Sequence, residues 1–493
     1  MKKRYKLIRS RLLLPMSGEE GAAGIIEDGY VLTEERVIRE VGGYTPEIGK
    51  RIIQKTGEEL LVIGGDERAN FTEADIPCLN GVVLPGFVRA HGHDYQSPII
   101  GIGRDEPLSA WLDRSIYAFN RFLSERHDEL EAELGQSPHL LTYRKCLLDN
   151  AYYGITSALS HHAGANKYHV PELIEANEEA GLKLIIAVSS ADRSCDPRVV
   201  DTPETAISRL DEYTARFKER EDIRIIPGPG QVFSNSHNLL RALKNWAREH
   251  GTLIHIHSSE EPGTTAWFYR QYLCSPVEYL HQIDFLDPET FLAHQVNNTP
   301  VDLEIIEKTG TGIVHNPLCN TIMGSGMPPL IEMLKRGIPV AIATDGSGSS
   351  DNQNMLAAAR LASQYQKAYH RDARLLPARR VLEMITRIPA RMLRLNTGSL
   401  ESGKDADFIL VDLSRPNLTP TRPDNVIENL IWASDGSEIR WVIAGGKILK
   451  DDYRLTGFAE KEIKSGVQLL SERLMEWKKE QDEMKVTGAR KKG

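Results

Sequence analysis

The chain has 493 residues, with 60 Lys and Arg against 69 Asp and Glu, a formal net charge of −9. Apolar residues at 41% and charged residues at 26% are ordinary globular values, and 39 Gly with 25 Pro exclude collagen-like and linker-dominated architectures. No apolar run approaches the ~20 residues needed to cross a bilayer, and an acidic chain is a poor nucleic-acid binder, so neither partner is expected.

The amino-terminal MKKRYKLIRSRLLLPMSGEE starts basic and carries Leu12–Leu14. Its apolar stretch is too short for a signal peptide and no small-residue cleavage site follows, so a first β-strand is expected. The five cysteines (Cys78, Cys146, Cys195, Cys274 and Cys319) lie at least 45 residues apart and form no CxxC pair. A sparse, odd set points to reduced thiols and a cytoplasmic location.

Residues 1 to 80 read as short strands and turns: Lys6–Leu14, Ala23–Glu27, Val37–Val41 and Leu60–Ile63. From Val83 the texture changes to apolar runs separated by amphipathic segments. The runs are Val83–Phe87, Gly154–His161, Leu182–Ser189, Ile223–Pro227, Thr252–His257, Phe291–Val296, Gly312–His315 and Pro339–Asp345. Helical patterns lie between them at Pro171–Ala180, Pro203–Arg220, Asn238–His250 and Pro328–Arg336. Apolar strands alternating with helices indicate a parallel sheet buried on both faces. The spacing matches an α/β architecture of the (β/α)8 TIM-like barrel type; an open doubly wound sheet is the alternative. Helices at Met355–His370 and Pro377–Leu393 follow, then strands at Phe408–Val411, Arg440–Ala444 and Lys447–Leu449. This second strand-rich block is short, which suggests one small β-domain completed by both chain ends. Ile463, Val467, Leu470, Leu474 and Trp477 recur at helical spacing before a basic tail at Ala489–Lys492. A final helix docked on the body, with a frayed tail, is expected.

The strongest local signal is Pro85-Gly86-Phe87-Val88-Arg89-Ala90-His91-Gly92-His93. Residues i and i+2 of an extended segment face one side, so His91 and His93 converge as half of a metal site. Two histidines exposed by chance are the alternative reading of this motif alone. The fifth run ends in His255-Ile256-His257-Ser258-Ser259-Glu260, which brings His257 to the strand end where barrel enzymes place their chemistry. Glu260 falls in the loop above it, where a carboxylate can pass a proton from an activated water to a leaving group. His255 lies one layer deeper and reads as core or support. The sixth run ends on His294, the seventh nearly ends on His315, and the eighth ends on Asp345, a charge that is costly there unless paired or metal-bound.

Together PGFVRAHGH, HSSE, LAH, HNPLCN and ATDG resemble the amidohydrolase superfamily, in the branch of S-adenosylhomocysteine, guanine and 8-oxoguanine deaminases and triazine hydrolases. Gly398-Ser399-Leu400-Glu401-Ser402-Gly403-Lys404-Asp405-Ala406-Asp407 resembles the point where that family's chain re-enters its β-sandwich. The resemblance implies a composite β-sandwich from 1–80 plus 398–455, a metal-dependent barrel over 81–397, and a helix and tail over 456–493. It makes His91, His93, His257 and Asp345 the metal ligands, Glu260 the proton shuttle, His294 the polarising group and Asp345 a further proton acceptor. One divalent metal is expected, with zinc favoured and iron or manganese compatible with the ligand types. The fourth run carries no Lys or Glu of the kind that bridges two metals in relatives.

The departures concern the substrate. Pro229-Gly230-Gln231-Val232-Phe233-Ser234 lacks the histidine of the nucleoside deaminases, and Asn120 stands where a ribose-reading Glu is expected. Trp111, in the loop after the first strand, matches the family's PLxxWL and would stack on a flat ring. His162 (with His161), Arg193 and His315 are further candidate substrate contacts, with support roles or a surface position as the bland readings. Cys319 stands where relatives usually have Ser and reads as packing. The expected function is a hydrolytic deaminase releasing ammonia from a C–NH2 group of a small nitrogen heterocycle. Alternatives are a hydrolase of another leaving group (chloride, alkylamine or a cyclic amide) and a noncatalytic barrel scaffold. A homo-oligomer is common in the family.

Overall fold

The computed structural model describes residues 3–18, 24–65, 72 and 76–490, with side chains to residue 484. Ala23 and the basic residues of the tail at 491–492 therefore lie outside the described residues. Both chain ends enter one nine-stranded mixed sheet. At its centre Leu79–Pro85 pairs in parallel with Tyr5–Leu13 and antiparallel with Phe408–Asp412. Ile26–Glu34 and Val37–Gly43 extend one side, and Ile439–Ala444 and Lys447–Asp451 the other. Its alternation has period 2: Val83, Phe408 and Leu410 face one apolar cluster, while Val82, Leu84, Ile409 and Val411 face another. The first block also holds a helix, Pro46–Thr56, capped by Thr45, where strands and turns alone were expected.

The first long run does not form one strand. Leu79–Pro85 ends in the mixed sheet, and Phe87–Arg89 begins a parallel one. Gly86 makes the switch, because a Cβ there would stand 2.3 Å from the Thr156 side chain. Two four-stranded parallel sheets follow. One orders Phe87–Arg89, Ile155–His162, Lys183–Val188 and Ile223–Pro227; the other orders Ile254–Ser258, Thr290–His294, Gly312–His315 and Val340–Ile342. Helices separate successive strands, among them Val170–Ala180, Pro203–Phe217, His237–Glu249 and Pro300–Thr309.

The two sheets share one apolar interior, to which Val88, Leu159, Ile185, Ile226, Phe291, Val314 and Ala341 contribute. Alternate residues such as Ala158, Ile186, Ile254, Leu292 and Ile342 pack outward under the helices. At one seam the sheets meet through His257 N–H donating to the Gly230 carbonyl at 3.3 Å. At the other, Val88 and Ile342 N–H groups donate to the carbonyls of Ile385 and Met384, both at 2.9 Å. Those carbonyls are free because the pattern expected as one helix over Pro377–Leu393 breaks into Ala378–Glu383 and Arg387–Met392. The last helix, Glu460–Arg490, buries Ile463, Leu470, Leu474 and Trp477, and the Trp477 ring lies 5.9 Å from that of Phe122. Among the described residues no helix is long and apolar enough to cross a membrane.

Candidate active site

His91 and His93 follow directly on Phe87–Arg89, while His257, His294 and Asp345 stand at the carboxyl ends of three other parallel strands. The parallel arrangement aims all of these ends at one mouth. Ser259, His294, Gln295 and Asp345 each adopt left-handed backbone (φ +50° to +74°), a conformation that costs free energy outside glycine and recurs at functional sites.

The hydrogen bonding around the histidines fixes their protons. His93 Nδ1–H donates to the His161 carbonyl at 2.9 Å, and His257 Nδ1–H donates to the Gly230 carbonyl at 2.6 Å. Each therefore presents a bare Nε2 lone pair, and the two Nε2 atoms face each other at 3.2 Å. Two lone pairs at that distance repel unless a cation lies between them. His91 Nε2 is buried without a hydrogen-bond partner, while its Nδ1 lies 2.8 Å from His255 Nε2. Asp345 Oδ1 completes the group, 3.4 Å from His91 Nε2 and 3.5 Å from His93 Nε2. Tetrahedral zinc bonds of about 2.0–2.1 Å put neighbouring ligand atoms about 3.3 Å apart. The four groups thus fit one divalent metal. Burial favours the neutral imidazoles that a metal needs, pushing His91 down to about 4 and His257 well below its ordinary value.

Two groups stand beside this centre. Glu260 is buried and accepts from Gln231 Nε2–H at 3.0 Å; burial raises its carboxyl above the usual range, which suits a proton carrier. Asn320 Nδ2–H donates to His294 Nδ1 at 2.9 Å, which leaves the His294 proton on Nε2. That Nε2 lies 3.7 Å from Glu260 Oε2 and 3.8 Å from Asp345 Oδ2. Asp345 is held in turn by Gly346 N–H on Oδ1 (2.7 Å) and by Gln353 on its carbonyl (3.1 Å). Arg89 reaches the same Gln353 at 2.7 Å.

A cavity of about 500 Å³ opens from this centre, lined by His93, His257, Glu260, His294, Cys319 and Asp345 at its floor. Trp111 lines the wall, buried, from a helix (Leu108–Trp111) instead of the expected loop. Asn120 and Gln231 also line it. Cys319, read as packing, is buried yet faces the cavity.

Three candidate substrate contacts lie elsewhere. His162 is buried behind its strand, with Nδ1 donating to the Asn166 carbonyl at 3.0 Å and its ring against Tyr143. Arg193 is exposed and donates to the Tyr272 hydroxyl at 3.1 Å. His315 is buried off the cavity, pushed down to about 3 and hence neutral. Conversely, Tyr117, Lys167 and Arg198 line the outer cavity and carry no signal in the sequence beyond residue type.

The sequence profile of the amidohydrolase family matches residues 82–449. The chain belongs to the amidohydrolase family. This amidohydrolase is 30% identical over 424 residues to a 5-methylthioadenosine/S-adenosylhomocysteine deaminase of Aquifex aeolicus, covering 85% of this chain and 90% of the relative. It is 28% identical over 423 residues to a 5'-deoxyadenosine deaminase of Methanosphaera stadtmanae, covering 86% and 94%. Among solved structures, an adenosine deaminase from Xanthomonas campestris with bound zinc superposes with a TM-score of 0.78 at 20% identity, covering 95% of this chain and 98% of the other. The atrazine chlorohydrolase TrzN from Arthrobacter aurescens complexed with zinc gives 0.80 at 23% identity, covering 94% and 100%. At such identities the likeness speaks for the fold, which is TIM-barrel-like α/β.

Proposed function

We propose that this amidohydrolase is a metal-dependent hydrolytic deaminase of a small nitrogen heterocycle. Water adds at the ring carbon bearing the amino group; the carbon keeps the oxygen, one of the water's protons leaves with the nitrogen as ammonia, and the other ends on the ring of the oxo product. The observation that carries the reading is the meeting of bare, buried imidazole nitrogens and Asp345 with Glu260 and His294 on one cavity floor. The deaminase names of the full-length relatives point the same way.

His91, His93, His257 and Asp345 hold one divalent ion, zinc by its fit to three nitrogens and one oxygen. When bound, the ion supplies Lewis acidity that brings water near its ionised form at neutral pH. Glu260 takes a proton from the attacking water and delivers it to the departing nitrogen; its burial keeps it able to hold that proton. His294 offers its Nε2–H to the developing negative charge, oriented by Asn320. Asp345 accepts the second proton, which passes to the ring nitrogen of the oxo product and restores the carboxylate. Trp111 forms an aromatic wall against the ring.

The apolar interior shared by the two parallel sheets supports a reading of the wider architecture. The eight parallel strands close into one barrel over 81–397, and the segments 1–80 and 398–455 form a single β-sandwich domain, with 456–493 as an appended helix and tail. We place the enzyme in the cytoplasm, as a homo-oligomer acting on a small molecule, with no nucleic-acid or membrane partner. A second reading keeps the machinery and changes the leaving group to chloride or alkylamine; it is supported by Asn120 and by the segment Pro229–Ser234, which lacks the histidine of the nucleoside deaminases. Metal-loaded protein offered aminopurines, aminopyrimidines, pterins and triazines separates the two by whether ammonia or another product is released.

A further inference from the structure

Glu260, His294 and Cys319 form a cluster that the deaminase reading uses only in part. One ligand atom from each (a carboxylate oxygen, an imidazole nitrogen and the thiol sulfur) lies within 4.8 Å of the others, and all three residues are buried. His294 Nε2 and Glu260 Oε2 are 3.7 Å apart. Tetrahedral zinc bonds of about 2.0–2.3 Å space such atoms about 3.5 Å apart, so small side-chain movements close the set. All three residues also face the cavity, which leaves a fourth position open to solvent.

We propose that Glu260, His294 and Cys319 form a second, inhibitory site for a thiophilic divalent cation, filled when such an ion is in excess. The donor set selects Zn²⁺ or Cd²⁺ over Mg²⁺ or Ca²⁺, which avoid sulfur and imidazole. Charge favours it. The carboxylate and the thiolate neutralise the incoming ion, and the Asp345 carboxylate stands between the two centres, with Oδ1 toward His91 and His93 and Oδ2 3.8 Å from His294 Nε2.

The proton balance is simple. Cys319 releases its thiol proton to solvent as the sulfur–metal bond forms. His294 moves its proton from Nε2 to Nδ1, where Asn320, with its amide turned, accepts through Oδ1, an atom that otherwise lacks a partner. The bound ion then occupies the Glu260 carboxylate and the His294 nitrogen, so the proton path closes. The inhibition rests on the deaminase reading; the binding does not.

The test titrates Cd²⁺ into protein already holding one equivalent of Zn²⁺. It reads the sulfur-to-metal charge-transfer absorption and ammonia release on the same samples. The first site contains no sulfur, so the absorption reports only cysteine ligation. The proposal expects one further equivalent bound with that absorption, its loss in Cys319→Ser, and turnover falling by about 10²-fold in step with the band, as for loss of a proton shuttle. Mg²⁺ at the same concentration gives neither effect. A band that persists in both Cys319→Ser and Cys319→Ala, or no second equivalent bound, overturns the site. Full turnover with the second equivalent in place overturns the inhibition. If the band appears and disappears with Cys319 while no substrate releases ammonia, the site stands and the deaminase reading fails.

Discussion

Glu260 and Glu261 are adjacent carboxylates with opposite expected roles, and exchanging each for glutamine separates chemistry from structure. In Glu260→Gln the amide keeps the shape of the side chain, and its carbonyl oxygen can still accept from Gln231 Nε2, now 3.0 Å from Glu260 Oε2. Burial opposes the charged form of Glu260, so removing that charge leaves stability equal or slightly higher. What disappears is proton transfer in both directions, worth about 10²–10⁴-fold in kcat, or about 2.7–5.5 kcal/mol of barrier. Glu261 instead caps the helix Pro262–Tyr272: its two oxygens accept from Gly263 N–H at 2.9 Å and Thr264 N–H at 2.7 Å. Glu261→Gln retains one acceptor and loses the negative charge at a helix amino end, costing about 0.5–2 kcal/mol of stability with turnover near wild type. Thermal unfolding and steady-state ammonia release, with metal content measured on the same preparations, read both effects. An inactive Glu261→Gln beside a fully active Glu260→Gln would refute the proton path as drawn.

His257→Ala and His91→Ala should each lose bound metal and activity together by elemental analysis, because the remaining nitrogens no longer enclose the ion; retained metal with normal turnover would remove them from the ligand set. Trp111→Ala should mainly raise KM, by a factor corresponding to about 1–3 kcal/mol of lost stacking and burial, with kcat changed less. A normal KM in a destabilised variant would make Trp111 a core residue. Lys450, buried in Lys447–Asp451 with its ammonium donating to the Tyr152 carbonyl at 3.2 Å and lying 4.3 Å from the Tyr152 ring centroid, is pushed down to about 8 by burial. The unfolded chain, with its lysine near 10.4, binds more protons between pH 8 and 10, so this group's contribution to stability rises with pH across that window and its cost is constant below it. Lys450→Met should therefore be more stable than wild type at pH 7, by about 2 kcal/mol, with the difference shrinking toward pH 10. A difference that does not change with pH would show that Lys450 keeps an ordinary lysine pKa in the fold and is well solvated.

The site was legible wherever chemistry coincides with a strand end. His91 and His93 converge because the chain stays extended through them, with His93 at φ −125° and ψ 94°, so i, i+2 spacing holds even past the last paired residue, Arg89. The ends of Ile254–Ser258 and Thr290–His294 were readable for the same reason: apolar runs of fixed length stop at a polar residue. Features that depend on tertiary packing were not readable. Gly86 looks like any strand glycine until Thr156 is packed against it. The break between Ala378–Glu383 and Arg387–Met392 exists to cap two strands distant in sequence. His162, Arg193 and His315 are polar residues near strand ends like the others, and only the register and the loop path turn them away from the cavity. The left-handed backbone at His294 and Asp345 has no signature in residue type, since neither is glycine.

The central claim is most directly tested by ammonia release from protein carrying one equivalent of zinc, measured across aminated purines, pyrimidines, pterins and triazines alongside His257→Ala and Glu260→Gln. The account predicts ammonia formed in equal amount to the hydroxylated or oxo product from at least one of these rings. It predicts turnover lost with the metal in His257→Ala and slowed with the metal retained in Glu260→Gln. Ammonia produced at wild-type rate by metal-free protein, or none from any aminoheterocycle by the zinc-loaded enzyme, would contradict it.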